Sequence, residues 1–278
     1  MPDVIRVACV QLTSRDDKAA NLEKVDHLIA RAGAGGADVV VLPEKWNAIG
    51  EVETMRAAAE PIEGGESVQA MSAWARHHGI VLVGGSITER REGREKLSNT
   101  CLVFDPDGAL AAVYRKIHLF DVEVGGHVYR ESEAEEPGDE AVVVAAGDWT
   151  IGLSICYDVR FPELYRVLAL EGADLLTVPS HFTLHTGRDH WEVLLRGRAI
   201  ENHCYVAAAA QIGEARPGKP SYGRSLIADP WGIVLAQAPD EECVISAELE
   251  KTRLEEVRRS LPSLASRRPE AYRPTARA

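Results

Sequence analysis

Two segments far apart in the chain read almost alike in register: Gly36-Ala37-Asp38-Val39-Val40-Val41-Leu42-Pro43-Glu44 and Gly172-Ala173-Asp174-Leu175-Leu176-Thr177-Val178-Pro179-Ser180. Each centres on a short apolar run and follows a stretch with amphipathic helical spacing. An unbroken run suits a strand buried on both faces, because a half-exposed strand alternates apolar and polar side chains. Such strands need packing layers above and below them. The helix-then-glycine grammar is explicit: Leu22, Val25, Leu28 and Ile29 recur at helical spacing before Gly33, Gly35 and Gly36, and Pro162 to Leu170 precedes Gly172. An internal two-fold repeat is one reading. Glycine favours any helix-to-strand connection, however, so the alignment alone leaves the repeat open.

The rest of the chain extends this pattern. Ile5 to Gln11, Ile80 to Ile87, Leu97 to Phe104 and Leu110 to Tyr114 read as strands, with Asp105-Pro106-Asp107-Gly108 supplying a hairpin turn. A long acidic loop runs from about Asp121 to Glu140. Structureless loops beyond about 15 residues in compact domains are usually functional or disordered, which makes this one a candidate wall of a binding site. Further strands are expected at Trp149 to Ile155, Tyr205 to Ala210, Ser225 to Ala228 and Ile233 to Ala236. A helix is expected from Asp189 to about Asn202, where Asp189-x-x-Glu192 resembles a capping box. No linker rich in Pro, Gly or Ser interrupts the chain before about residue 250, so one α/β domain over residues 1–250 is expected.

Residues 251–278 form a basic extension. It carries eight Lys or Arg (251, 253, 258, 259, 267, 268, 273 and 277) against Glu255, Glu256 and Glu270, a balance of +5 in a chain of net charge −12. It is expected to be solvated or to pack on an acidic surface of the chain or of a partner subunit.

Charge and composition exclude several functions. A net charge of −12 disfavours nucleic-acid binding, which depends on Lys and Arg replacing counterions along phosphates. No stretch approaches the roughly 20 apolar residues needed to span a bilayer. The opening Met1-Pro2-Asp3-Val4-Ile5-Arg6 also lacks the regions of a signal peptide, so a cytoplasmic location without membrane contact is expected. The five cysteines, at positions 9, 101, 156, 204 and 243, show no Cys-x-x-Cys spacing and no disulfide-scaffold density.

Four of those cysteines lie within or beside apolar runs, where a thiol acts as a small hydrophobe. Cys156 differs. It ends the strand Trp149 to Ile155 and precedes Tyr157-Asp158 and a helix opening near Phe161-Pro162. A strand-to-helix turn exposes its side chain at the carboxyl end of a sheet, and amides at the helix start stabilise a thiolate or an oxyanion. Glu44 stands at the equivalent end of another buried run. Lys116 lies where a hairpin strand enters the acidic loop. Taken singly, each also fits a cap, an ion pair or a solvated charge.

Together, Leu42-Pro43-Glu44, Arg115-Lys116-Ile117-His118-Leu119 and Ile155-Cys156-Tyr157-Asp158-x-Arg160-Phe161-Pro162-Glu163 resemble the three signature blocks of the nitrilase, or carbon-nitrogen hydrolase, superfamily. The resemblance extends through His190 to Arg196 and Arg198 to Asn202 to Asp229-Pro230-Trp231-Gly232. It implies an α/β fold, a four-layer αββα sandwich, usually paired as a homodimer through helices and a C-terminal extension. It implies Cys156 as nucleophile, Glu44 as general base, Lys116 as the cation nearest the oxyanion, and the Tyr157 backbone N–H as a second oxyanion donor. An assisting glutamate corresponds best to Glu131, with Glu123 as the alternative.

The downstream blocks are similar to the branch of small-acid amidases acting on deaminated glutathione or 2-oxoglutaramate. The expected reaction is amide hydrolysis through a thioester, with a small-molecule amide as the partner and no metal or other cofactor. Nitrile hydrolysis, another aliphatic amidase activity and a non-catalytic binding protein on the same fold are the alternatives. Arg160 and Arg224 are candidate donors to a substrate carboxylate, and His185 is a further candidate substrate contact. Relatives often carry His where Arg224 stands, and Ala where Gly197 stands. Two rival chemistries are a Cys-His pair using His118, His181, His185 or His190, and a zinc site on His181 and His185, whose segment reads as loop.

Overall fold

The computed structural model describes residues 2–272; Met1 and the end of the extension, including Arg273 and Arg277, lie outside the described residues. The first half runs β1 (Val4–Gln11), α1 (Lys18–Ala34), β2 (Val39–Val41), α2 (Val52–Ala58), α3 (Glu66–His78), β3 (Val81–Val83), β4 (Ile87–Glu89), β5 (Ser98–Phe104) and β6 (Leu110–Arg115). A hairpin of β7 (Asp121–Val124) and β8 (His127–Arg130) follows. The second half runs β9 (Val143–Ala146), β10 (Trp149–Leu153), α4 (Pro162–Leu170), β11 (Leu175–Thr177), α5 (Leu184–Asn202) and β12 (Tyr205–Ala208). It continues through a hairpin of β13 (Ile212–Arg216) and β14 (Lys219–Tyr222), then β15 (Leu226–Ala228), β16 (Val234–Gln237), β17 (Cys243–Glu250) and α6 (Lys251–Ser260).

The two halves repeat one another. In the first sheet β1, β2 and β3 are parallel and flanked by antiparallel β17 and β5. In the second, β10, β11 and β12 are parallel and flanked by antiparallel β9 and β15. The matching aspartates do the same work in each. Asp38 accepts from the Arg6 amide and Asp174 from the Thr150 amide, each locking the middle strand of its triplet onto the first. Gly36 and Gly172 both take positive φ at the helix end, 75° and 92°. These shared contacts make the repeat structural, beyond a common turn preference.

Alternation along the first sheet explains the layers. Val7, Cys9, Val39, Val41, Val81 and Val83 face the second sheet and join its Ile151, Leu153 and Leu175 in one core. Ala8, Val10, Val40 and Leu82 point the other way, against Val25 and Ile29 of α1 and Met71 and Ala75 of α3. The second sheet is covered on its outer side by α4 and α5 through Leu164, Leu168, Trp191 and Leu195. The order is helix, sheet, sheet, helix, which is the expected four-layer αββα sandwich.

Several expected elements differ. The run from Ile80 to Ile87 is two strands, broken where Gly84 and Gly85 turn the chain. The acidic loop contains the β7–β8 hairpin, with a single 3-10 turn at Glu131–Glu133 after it. Helix α5 begins at Leu184, five residues before Asp189, because the Thr183 hydroxyl accepts from the Thr186 amide and caps it. Asp189 and Glu192 therefore sit inside the helix, and Glu192 pairs with Arg196 one turn on. His185 lies in the first turn of α5, where a loop was expected. The basic extension packs on its own chain as far as it is described: Lys251 and Arg258 bind Asp174, and Arg253 binds Asp229.

The break after β3 supports the end of β2. Ser86 N donates to Pro43 O, Ser86 Oγ accepts from Lys45 N, and Trp46 Nε1 donates to Gly84 O. Gly85 has φ 58°, and a Cβ there would lie 2.1 Å from Pro43 O. Gly85→Ala is expected to destabilise the protein by more than about 1 kcal/mol, measured by urea unfolding, since alanine is strained at positive φ and would also push on the Glu44 segment.

Candidate active site

The carboxyl ends of β2 and β10 and the segment after β6 open onto one cavity of about 420 Å³. Glu44 follows β2, Lys116 follows β6, Cys156 follows β10, and Glu131 comes from the turn after the β7–β8 hairpin. All four line the cavity, together with Tyr157. Lys116 Nζ lies 3.0 Å from Glu44 Oε1 and 2.7 Å from Glu131 Oε2. The Cys156 thiol shares the cavity with the Glu44 carboxylate, whose negative charge acts on it. Glu44 also accepts from Asn99 Nδ2 at 2.8 Å and from the His181 amide at 2.8 Å, so its orientation is fixed on several sides.

Cys156 has φ 49°, a left-handed conformation uncommon for a non-glycine residue. The surroundings hold it there. Its N–H donates to Pro179 O, and the fully buried Asp158 two residues on accepts from the Ile155 amide, the Tyr114 hydroxyl and His118 Nδ1. Tyr157 N–H lies in the first turn of the short 3-10 helix Cys156–Arg160, where amides have no partner along the helix itself. This arrangement offers a nucleophile, a carboxylate able to take its proton, and a cation beside both.

The profile of the carbon-nitrogen hydrolase family matches residues 6–259. The chain belongs to that family. It is 42% identical to omega-amidase NIT2 of Danio rerio over 268 residues, 96% of each chain. Its fold matches Nit3 of Saccharomyces cerevisiae, a member of branch 10 of the nitrilase superfamily, with TM-score 0.86 and 36% identity over 93% of this chain and 94% of that one. It also resembles a mutant amidase from Nesterenkonia sp. AN1 caught after Michael addition of acrylamide at the active-site cysteine, with TM-score 0.77 and 29% identity over 93% of this chain and 98% of that one.

The electrostatics of this carbon-nitrogen hydrolase define the resting protonation states. Burial is the largest influence on Glu44 and would raise it, but the Lys116 and Lys45 ammonium groups and its hydrogen bonding together outweigh it and hold the carboxyl below its ordinary value of 4.5. Glu131 is opposed by burial in the same way and is carried down to about 2 by Lys116 and Lys45. Burial, followed by the charge of Glu44, pushes the Cys156 thiol well above its ordinary 9.0. At neutral pH the pair is therefore a thiol against a carboxylate. Burial also lowers His181 to about 4, so its imidazole is neutral.

The remaining expected contacts are distributed differently. Glu123, the alternative to Glu131, is on β7 and does not line the cavity. Arg160 is not in the cavity wall either: its guanidinium lies 5.2 Å from the Phe182 ring centre and bonds His190. Arg224 pairs with Asp240 at 2.7 Å, and His185 packs beside Gly125 of the β7–β8 hairpin. Among the four histidines considered for a Cys-His pair, only His181 lines the cavity. His118 is held by Asp158 and stacks on Phe161 at 3.6 Å.

Sequence reading missed Lys45, Glu135 and Asn99. Lys45 has φ 51° and turns back into the cavity, 2.6 Å from Glu135 Oε1 and 3.5 Å from Glu131 Oε1. Its place directly after Leu-Pro-Glu was the one available signal.

Alkylation of Cys156 by iodoacetamide, followed by mass spectrometry of its peptide, is expected to accelerate through pH 9 without levelling off. A plateau at or below neutral pH would mean a resting thiolate and contradict the thiol-carboxylate pair.

Proposed function

We propose that this enzyme is an ω-amidase-like hydrolase acting on the C–N bond of a small, linear amide that carries a carboxylate, of the 2-oxoglutaramate or deaminated glutathione type. The observation that carries this reading is the convergence of Cys156, Glu44 and Lys116 on one cavity, with Lys116 bonded to Glu44, in a chain so similar to proteins named omega-amidase. Cys156 Sγ attacks the amide carbonyl while Glu44 removes the thiol proton. The developing oxyanion is stabilised by Lys116 Nζ and the Tyr157 N–H. Glu131 keeps Lys116 charged and aimed.

Collapse transfers the proton from Glu44 to the leaving nitrogen and leaves a thioester on Cys156. Ammonia or an amine departs. Water then gives a proton to Glu44 and attacks the thioester carbonyl. The second collapse releases the acid and returns that proton to sulfur. Each step uses one carboxylate to move one proton, and neither a metal nor an organic cofactor takes part.

The test is release of ammonia from 2-oxoglutaramate, simple aliphatic amides and nitriles, and of amine from deaminated glutathione. Cys156→Ala is expected to abolish turnover and Glu44→Gln to lower it about 10²- to 10⁴-fold. Lys116→Ala is expected to lose at least about 10²-fold. Turnover persisting in Cys156→Ala would overturn the mechanism, and release from nitriles alone would point to a nitrilase.

A homodimer in the cytoplasm completes the reading. None of the described helices is long and apolar enough to cross a membrane. Val167 and Leu170 of α4 and Val193 and Ile200 of α5 stand exposed on the outer layer, and Arg267 of the extension lies near Arg166 of α4. An apolar face of this kind beside a basic segment suits a two-fold interface. Light scattering after size exclusion is expected to give twice the 30.3 kDa chain mass, and Val193→Glu is expected to shift it toward the monomer.

A further inference from the structure

We infer that Arg216, at the tip of the β13–β14 hairpin, is the specificity-determining residue that clamps the distal carboxylate of the bound amide, with Lys219 assisting. This rests on the amidase reading above and adds the group that selects its substrate. Among the described residues five Lys and Arg side chains line the catalytic cavity: Lys45, Lys116, Arg130, Arg216 and Lys219. The first two are held by Glu44, Glu131 and Glu135. Arg130 donates to the carbonyl of Tyr129 at 2.9 Å, turning its head back to its own hairpin. Arg216 is held only by long contacts. Its Nε is buried without an acceptor, while Nη1 is 3.4 Å from Gly50 O and 3.9 Å from a Glu51 side chain that is 72% exposed.

The hairpin makes this more pointed. Arg216 and Lys219 are direct cross-strand partners, a juxtaposition of like charges that is unfavourable in itself. The nearest acid on the hairpin does not relieve it, because Glu214 accepts from the Gly218 amide. Both cations face the same cavity as Cys156, and the positive charge of Arg216 reaches His181 and Tyr129 in its wall. A carboxylate there would satisfy the idle guanidinium nitrogen, neutralise the like-charge pair and accept two parallel hydrogen bonds. An uncharged amide of equal length would leave a partly desolvated arginine unpaired, and that difference is what discriminates. Lys219 Nζ stands 5.9 Å from the Tyr129 ring centre, which keeps a second cation at the same wall.

The test compares kcat and KM for three linear amides, succinamate, uncharged pentanamide and cationic 4-aminobutyramide, with wild type, Arg216→Ala, Arg216→Lys and Arg216→Glu. The wild type is expected to prefer succinamate. Arg216→Ala is expected to lower the succinamate-to-pentanamide ratio of kcat/KM about 10- to 100-fold, chiefly through KM. Arg216→Lys should recover part of that ratio, and Arg216→Glu should raise 4-aminobutyramide relative to succinamate, a shift that mere loosening of the hairpin would not produce. If Arg216→Ala and Arg216→Glu turn over amides with the wild-type ratios, the clamp is wrong while the amidase reading stands. If the wild type hydrolyses none of the three, nor the larger amides of the preceding test, both readings fall.

Discussion

Lys116 is almost completely removed from water, with 1% of its side chain exposed, and its ammonium is bonded to two carboxylates. Taking such a charge out of water costs several kcal/mol, which only close, well-oriented partners repay. Those partners, Glu44 and Glu131, come from the end of β2 and from the turn after β8. The pairing therefore ties together three segments distant in sequence, and the cavity exists in its present form only while the charges are matched. Removing either carboxylate leaves a buried cation short of a partner, a defect typically worth about 3–5 kcal/mol. Lys45 and Glu135 extend the same lattice to a second cation and a third carboxylate.

The sandwich makes this lattice tolerable. Buried parallel strands end abruptly at one edge of each sheet, and the chain leaves them in conformations that regular structure does not allow. Lys45 and Cys156 both take positive φ there. Such backbone costs on the order of 1–3 kcal/mol per residue and persists only when the surroundings over-determine it. At Cys156 the surroundings are Asp158, Tyr114 and Pro179; at Lys45 they are Ser86 and the glycines before it. The strain aims the thiol at Glu44, and the low-dielectric setting keeps that thiol protonated until its proton has somewhere to go.

The elements with strong periodicity were legible without coordinates. The apolar runs at Val39 and Leu175 became central strands, since burial on both faces favours apolar side chains and admits Thr177 only with its hydroxyl bonded to Gly152 O. The α5 boundary was not, because Asp189-x-x-Glu192 imitates a cap while the real cap, Thr183, acts through a hydroxyl that has many equivalents along the chain. The hairpins at Asp121 and Ile212 were missed for a related reason. Their strands lie mostly outside the core, so alternation is weak there and turn residues alone do not specify pairing.

What the sequence determined by itself was the covalent and chemical inventory: a thiol at a strand-to-helix turn, a carboxylate after Leu-Pro, a lysine before an acidic stretch, and enough doubly buried strands for two covered sheets. Those are local facts, set by residue type and spacing. Which glutamate meets Lys116, which histidine reaches the cavity and which arginine faces it on long contacts alone were decided only in the folded chain. Each depends on distances between segments far apart in sequence, and Coulomb and hydrogen-bond energies fall off within a few ångströms. Glu123 and Glu131 are near neighbours with the same charge, yet only the second lies 2.7 Å from the ammonium. Arg160, Arg216 and Arg224 are equal as letters; packing leaves Arg160 over an aromatic ring and Arg224 on an aspartate, and it leaves Arg216 facing the cavity.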